Sequence, residues 1–442
     1  MSYNNEQKEF ILIKMRRKQK IPGLILCTFL LSCTSDYIDV KTLPRPDCSG
    51  ETSIVKEFDE NPVKLLVIPD APSETVEFNE ILSFYKYQYP DSLIKKESEL
   101  VLDDFAKGLD IYGNINDFEN WEKFDLPIKK LDYGFEFADQ RYQDKSDALF
   151  YISKDRQAIT GNSMKLIREL RNTMTGFYKY IIFRNGLLSE YGLPDDSKID
   201  IDQVRESNFN QSSSKYFNLF TDKNFPKNTR IDDSVITDIC DRMKIPYPDY
   251  KINAFLHDDA NSTRLFTNFF FMTGCDTLVK DFMINTVAMN GIHINGLDLE
   301  MIKHETFHLL WNTGVGSPGE QAFLNEGIQE YYQQLLDSSR INRNIEVLNR
   351  YSDYDIGNLI IRGNGQDFWG GPSEDNWPIA YNISGLFVKY LIDNWGLETF
   401  KKFYTITDRE KAYRQIYNLT PVEIKNEFYL WIQNYCTTKQ PV

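Results

Sequence analysis

Positive charge is short in this sequence. Its 50 Lys and Arg face 65 Asp and Glu, a formal net charge of −15. A surface of that sign lacks the clustered cations that phosphate groups require, which argues against nucleic acid and anionic lipid headgroups as partners. Histidine is scarcer still, with four residues in 442, so two of them inside one short motif carry information. Cysteine is sparse and scattered. Beyond Cys27 and Cys33, the residues Cys48, Cys240, Cys275 and Cys436 make no C-x-x-C pair, so a thiolate zinc framework is excluded; outside the cytoplasm they allow at most two disulfides, and free buried thiols are equally compatible. Long apolar runs are lacking too, since the run from Ile21 to Leu31 is too short to span a bilayer.

What is present is a globular composition, 41% hydrophobic and 14% aromatic, enough to bury a large core. The N-terminus reads as a targeting signal: the basic stretch from Lys14 to Lys20 precedes the short apolar run, which closes on Leu30-Leu31-Ser32-Cys33. That ending resembles the bacterial lipobox, which implies Cys33 as the lipidation site, a signal peptide over 1–32 and a membrane contact made through lipid rather than protein. Residues 33–62 are polar and dotted with Pro44, Pro46 and Pro62, as a tether would be. The opening Cys-Thr-Ser-Asp-Tyr-Ile-Asp-Val of residues 33–40 resembles the start of SusD-like outer-membrane lipoproteins, so the expected location is the cell envelope, at the outer membrane.

The expected fold class is α+β. Short apolar runs at Val63–Ile68 and Asp147–Ile152 read as buried strands. A stripe of Ile167, Leu170, Met174, Phe177 and Ile181 behind Ser163 reads as an amphipathic helix. These place an α+β domain of unassigned role over 63–205, with a linker over 206–229 around the Ser- and Asn-rich 207–214. From 230 to 436 the pattern is a helix over 231–243, strands over 251–256 and 286–294, a turn at Asn295-Gly296, and then helices to the end. The last helix opens with Thr420-Pro421-Val422-Glu423, a capping box with proline at the first helical position.

The chemistry concentrates in His304-Glu305-Thr306-Phe307-His308. With Asp298 as cap and Gly314 as terminator this segment is helical, so the two imidazoles stand one turn apart on one face, the spacing that lets both bind one tetrahedral Zn²⁺. Glu305 is rotated about 100° away, beside a metal rather than on it, where it can take a proton from water. No histidine follows His308, so a third ligand must be of another kind; Trp311 and Gly314 exclude the metzincin pattern. Glu320, Glu326 and Asp337 are the carboxylates available.

The segment Phe323-Leu324-Asn325-Glu326-Gly327-Ile328-Gln329-Glu330-Tyr331 resembles the (W/F)LNEGxAEY segment of gluzincin zinc peptidases. The resemblance implies Glu326 as third ligand, on a second helix started by a capping box at 317–320, and Glu330 one turn on can accept the spare N–H of a zinc-bound histidine. Residues 378–391 are similar to the Y-x-x-(S/A)-G-x-F-V-x-Y-L helix of that clan, with Tyr381 opening it as candidate donor to a developing oxyanion. The likeness spans about 230–435, and implies a mostly helical peptidase domain with a small sheet whose 286–294 strand edges the cleft. Val287-Ala288-Met289-Asn290-Gly291 lacks the glutamate with which the aminopeptidase branch grips a free amine, so internal cleavage is expected over exopeptidase action. His257 and His293 read as structural, with His293 a candidate for the cleft rim. The expected function is a lipid-anchored zinc endopeptidase acting on peptide or protein; the alternative is an inactive surface lipoprotein that binds peptide or glycan.

Overall fold

The computed structural model describes residues 64–438 except 76, 80–81, 83–84, 86–88, 91–92, 165–166, 168–177, 194, 260–261, 263–285, 289–290, 317–320, 351–355, 362, 364–375 and 407. The lipobox with Cys33, the tether, Glu320 and the 317–320 box all lie outside the described residues.

The architecture is mixed α+β. The first half builds an eight-stranded sheet from β1 (Lys64–Ile68), β2 (Ile94–Lys96), β3 (Gly108–Asn114), β7 (Ala148–Ile152), β8 (Arg156–Gly161), β9 (Tyr180–Arg184), β10 (Leu187–Gly192) and β11 (Lys198–Asp200), ordered β11-β10-β9-β7-β8-β3-β1-β2. The strands β2, β1, β3 and β8 run parallel and the rest pair antiparallel. Strand β1 reads Lys-Leu-Leu-Val-Ile with no polar alternation because both its faces are covered. Leu66 and Ile68 enter one core and Leu65 and Val67 another. A small sheet of β4 (Ile128–Lys130), β5 (Phe135–Phe137) and β6 (Gln140–Tyr142) packs its Phe135, Phe137 and Tyr142 into the second of these cores. Ile181, expected at the end of a helical stripe, lies on β9 instead. Its β-branched neighbour Ile182 and the hairpin to β10 favour strand, and tertiary pairing overrides the periodicity.

Residues 206–229 are not a linker. They contain β12 (Phe209–Ser213) and β13 (Phe217–Asp222), which join β14 (Ile252–His257), β15 (Thr286–Ala288) and β16 (Gly291–Asn295) in a five-stranded sheet ordered β12-β13-β14-β16-β15. Ser and Asn in 207–214 mislead because only Phe209 of β12 is buried, and the polar residues after it are half-buried or exposed. Where one strand is expected over 286–294 there are two, β15 and β16, paired antiparallel at the sheet's edge among the described strands.

This second sheet is a partition. Side-chain alternation sends Phe217, Leu219, Ile252, Ala254, Leu256, Ile292 and Ile294 into the helical core, while Phe209, Phe220 and Phe255 enter a core shared with the first sheet. The described residues accordingly belong to one compact unit.

The helices are α1 (Ile201–Asn208), α2 (Ser234–Met243), α3 (Leu299–Gly314), α4 (Ala322–Leu336), α5 (Ser339–Arg350), α6 (Gly357–Ile361), α7 (Asn376–Trp395), α8 (Leu397–Tyr404), α9 (Arg409–Ala412) and α10 (Pro421–Thr438). After β16 the described chain is helical to its end, as the sequence pattern predicts. The capping box holds: Glu423 N donates to Thr420 Oγ1 at 3.2 Å, and Thr420 N donates to Glu423 Oε2 at 2.7 Å. Cys240 is a free, buried thiol on α2 that contacts the Pro246 carbonyl oxygen at 3.6 Å.

Candidate metal centre

Helix α3 starts where the sequence says it should. Asp298 accepts hydrogen bonds from Glu300 N and Met301 N at 2.9 and 3.1 Å, satisfying two amides that the first helical turn leaves open. Ile302, Phe307, Leu309, Leu310 and Trp311 are buried in the helical core. Phe307, Leu310 and Trp311, at three- and four-residue spacing, fix the helix's rotation with the others, and that rotation sets where His304 and His308 point. Each such ring or branched chain contributes about 1.5–3 kcal/mol by leaving water.

Helix α4 returns beside it, held on two sides. Tyr332 donates a 2.7 Å hydrogen bond to Asp238 on α2. Gly327 and Gly385 let α4 and α7 approach closely: a Cβ on Gly327 would lie 2.7 Å from the Ser384 carbonyl oxygen, and one on Gly385 would lie 2.7 Å from Glu330 Cβ. Gly327 follows Glu326 directly, so the close crossing also fixes the glutamate's position along the helix.

The outcome is a convergence of three donor atoms. His304 Nε2 and His308 Nε2 are 3.0 Å apart, and Glu326 Oε2 lies 3.4 Å from the first and 3.2 Å from the second. Among the described residues this is the one cluster of His, Cys, Asp or Glu able to hold a metal ion. The chemistry of the set fits zinc. Ligands about 2.0–2.1 Å from a tetrahedral ion stand about 3.3 Å from one another. Two imidazole nitrogens this close repel when both lone pairs are free, and a shared cation removes the conflict. His308 Nδ1 is sealed from solvent without a hydrogen-bond partner of ordinary geometry, while Asn325 on the neighbouring helix acts on the ring.

The electrostatics of the protein alone follow from burial. Burial opposes charge on both partners of the His308–Glu326 contact, but their attraction wins: the imidazole is raised above its ordinary value and the carboxyl is held well below the usual range. Glu305 has no such partner strong enough to offset its burial, so its carboxyl is raised despite His304 and His308 nearby. Burial, then the carboxylates of Glu326, Glu305 and Glu330, push the Tyr381 phenol far up, and its hydroxyl hydrogen-bonds Glu326.

Tyr381 therefore joins the cluster, although it does not open its helix. Helix α7 begins at Asn376, and Tyr381 lies in its second turn. Pro378 falls within the first turn, where its missing N–H costs nothing. Glu330 is raised by burial, against the pull of Arg340, whose Nη1 lies 3.6 Å from its Oε2; His304 is a further charge acting on it. Asp337 stays apart, accepting from Ser339 N and Oγ and pairing with Arg343 at 2.8 Å. His293 does not line a rim. It is fully buried on the face of the sheet turned from the helices, 2.9 Å from His257 and stacked on Phe255 at 4.5 Å. The register decides this, because Ile292 and Ile294 take the helical side.

Tyr404, Asn312 and Asn325 stand close to the cluster without a role that the sequence pattern assigns. Tyr404, at the end of α8, is fully buried, and its hydroxyl contacts Asn325 Oδ1 at 2.9 Å and Asn312 Oδ1 at 3.2 Å. Asn312 and Asn325 sit on the two helices that carry the cluster, and no motif signals that a tyrosine far downstream bridges them.

Fold and site together define a mixed α+β protein with a largely buried His-His-Glu cluster on paired helices. No protein-family model matches the chain, and neither the curated proteins nor the solved structures contain a match.

Proposed function

We propose that the protein is a zinc-dependent peptidase of the gluzincin type, cleaving internal peptide bonds and anchored in the cell envelope through lipid on Cys33. The observation that carries the reading is the triangle of His304 Nε2, His308 Nε2 and Glu326 Oε2, with edges of 3.0, 3.2 and 3.4 Å. His304, His308 and Glu326 would hold the ion. Zinc bound there supplies a Lewis acid that polarises a carbonyl and brings the acidity of water towards neutrality.

The remaining roles belong to side chains of this chain. Hydrolysis adds hydroxyl to the carbonyl carbon and a proton to the amide nitrogen, so one group must move a proton from water to the leaving amine. Glu305 is suited to that transfer, because it is buried beside both histidines and burial raises its proton affinity towards the working range of a general base. Tyr381 keeps its proton at any working pH, because burial and three neighbouring carboxylates oppose its ionisation. It is thus a standing donor for the oxygen on which negative charge develops. Edge strand β15 leaves one side of the sheet open among the described strands, a place where an extended peptide can add by main-chain hydrogen bonds.

The test is a chelator-sensitive assay on unfolded protein substrates. Cleavage by the wild type that stops on metal removal and returns with zinc is the expected result. Zinc binding without any cleavage would instead favour a surface lipoprotein that grips peptide or glycan.

A further inference from the structure

The zinc reading leaves open what fixes the tautomer of His308. Its Nε2 faces the cluster, so the proton must sit on Nδ1, and that atom is buried without a closed hydrogen bond. The side chain acting on this ring from the neighbouring helix is Asn325. An amide has two unlike ends. Only its oxygen can accept the Nδ1 proton, and a flip by about 180° would present an NH2 group that opposes it.

We infer that Tyr404 is a positioning residue that sets the orientation of the Asn325 amide, and through it the tautomer with which His308 binds zinc. This rests on the metal reading above and deepens it. A phenol has one proton to give, and the shorter contact, 2.9 Å to Asn325 Oδ1, takes it. That bond would keep the amide oxygen from turning away, leaving its second lone pair to serve His308. Asn312 can satisfy the same phenol oxygen by turning its NH2 group to it across 3.2 Å.

Tyr404 is itself fixed. Its ring meets Trp311 edge-on at 5.7 Å. The buried Arg409 donates to the carbonyls of Phe403 and Tyr404 at 3.0 and 2.9 Å, closing the C-terminal end of α8 with a positive charge. Burial keeps the phenol protonated, so it remains a donor at all working pH values. Asn312 on α3 and Asn325 on α4 thus share one hydroxyl on a third helix, and the pair of ligand-bearing helices is registered by it.

The experiment compares zinc affinity by chelator competition in four full-length proteins: wild type, Tyr404→Phe, Asn325→Asp and the double variant. A carboxylate has oxygen at both ends and cannot be misoriented, so Asn325→Asp removes the need for Tyr404. Tyr404→Phe should weaken zinc about tenfold in the wild-type background, the scale of a lost ligand-orienting contact, and should change little in the Asn325→Asp background. Equal losses in both backgrounds would overturn the inference, because a mere helix pin acts whatever stands at 325. Unchanged affinity in Tyr404→Phe, with tight binding by the wild type, overturns it also. Absence of zinc binding by the wild type would remove the metal reading itself, and this inference with it. Should Tyr404→Phe fail to fold, the ring-nitrogen NMR shifts of His308 in the zinc-free wild type, at a pH where the ring is neutral, decide: a proton on Nδ1 supports the inference, and one on Nε2 overturns it.

Discussion

His308 Nε2 and Glu326 Oε2 stand 3.2 Å apart, although they come from different helices and 18 positions separate them in the chain. Neither side chain is solvated enough to be held by water, so the two helices must supply the geometry. They do so through the Gly327–Ser384 contact, the Tyr332–Asp238 hydrogen bond and the apolar face of α3.

Glu305→Gln keeps the shape and burial of the side chain but cannot receive a proton. Zinc content should stay at the wild-type level while turnover falls by about 10²–10⁴, the usual weight of a positioned general base. Parallel measurement of metal and of peptide cleavage checks this. A variant with full zinc and undiminished cleavage would remove Glu305 from the mechanism.

Gly327→Ala tests the helix crossing. Alanine is the better helix former by about 1 kcal/mol, yet its Cβ would meet the Ser384 carbonyl oxygen at 2.7 Å and Val388 Cγ2 at 2.8 Å. The steric cost of overpacking, about 1–3 kcal/mol, should win. Thermal unfolding should show a lower midpoint, and zinc affinity should fall with it because residue 326 moves too. A stabilised variant would mean that α4 and α7 have room to spare.

Asp104 provides a pH test far from the metal. Burial alone would raise its carboxyl, but Lys107 and Lys95, each at 2.7 Å, and the Val101 N–H at 3.0 Å hold it well below the usual range. A carboxyl depressed in the folded state stabilises above the unfolded value, about 3.9, and the benefit is lost as pH falls through the lower folded value. The gap in melting temperature between wild type and Asp104→Asn should therefore be full at about pH 5 to 7 and narrow below about pH 4. A gap that stays constant into that acid range would contradict the assignment.

Much of the fold is legible in the sequence, for identifiable reasons. Helix α3 is readable because its cap, its apolar spacing and its terminator agree, and α10 because its capping box is complete. The strands β1, β7 and β14 announce themselves as short apolar runs. What escapes is set by contacts distant in sequence. Strand β12 reads as a linker because part of it faces solvent, and Ile181 fits a helical stripe until pairing with β7 and β10 claims it. At the site, the motif gives His304, His308 and Glu305, and Glu326 comes by likeness to a segment whose spacing alone proves nothing. Tyr404 and Arg340 have no local signal; they belong to the site through α8 and α5, whose placement only the folded chain reveals.

The claim that matters most is that the cluster binds one zinc ion. Elemental analysis of purified wild-type, His304→Ala and Glu326→Ala proteins, exposed to the same zinc-containing buffer and then desalted, tests it most directly. The account predicts one zinc per wild-type chain and a marked loss in both variants. A wild type free of zinc, or a Glu326→Ala protein as fully loaded as the wild type, would contradict it.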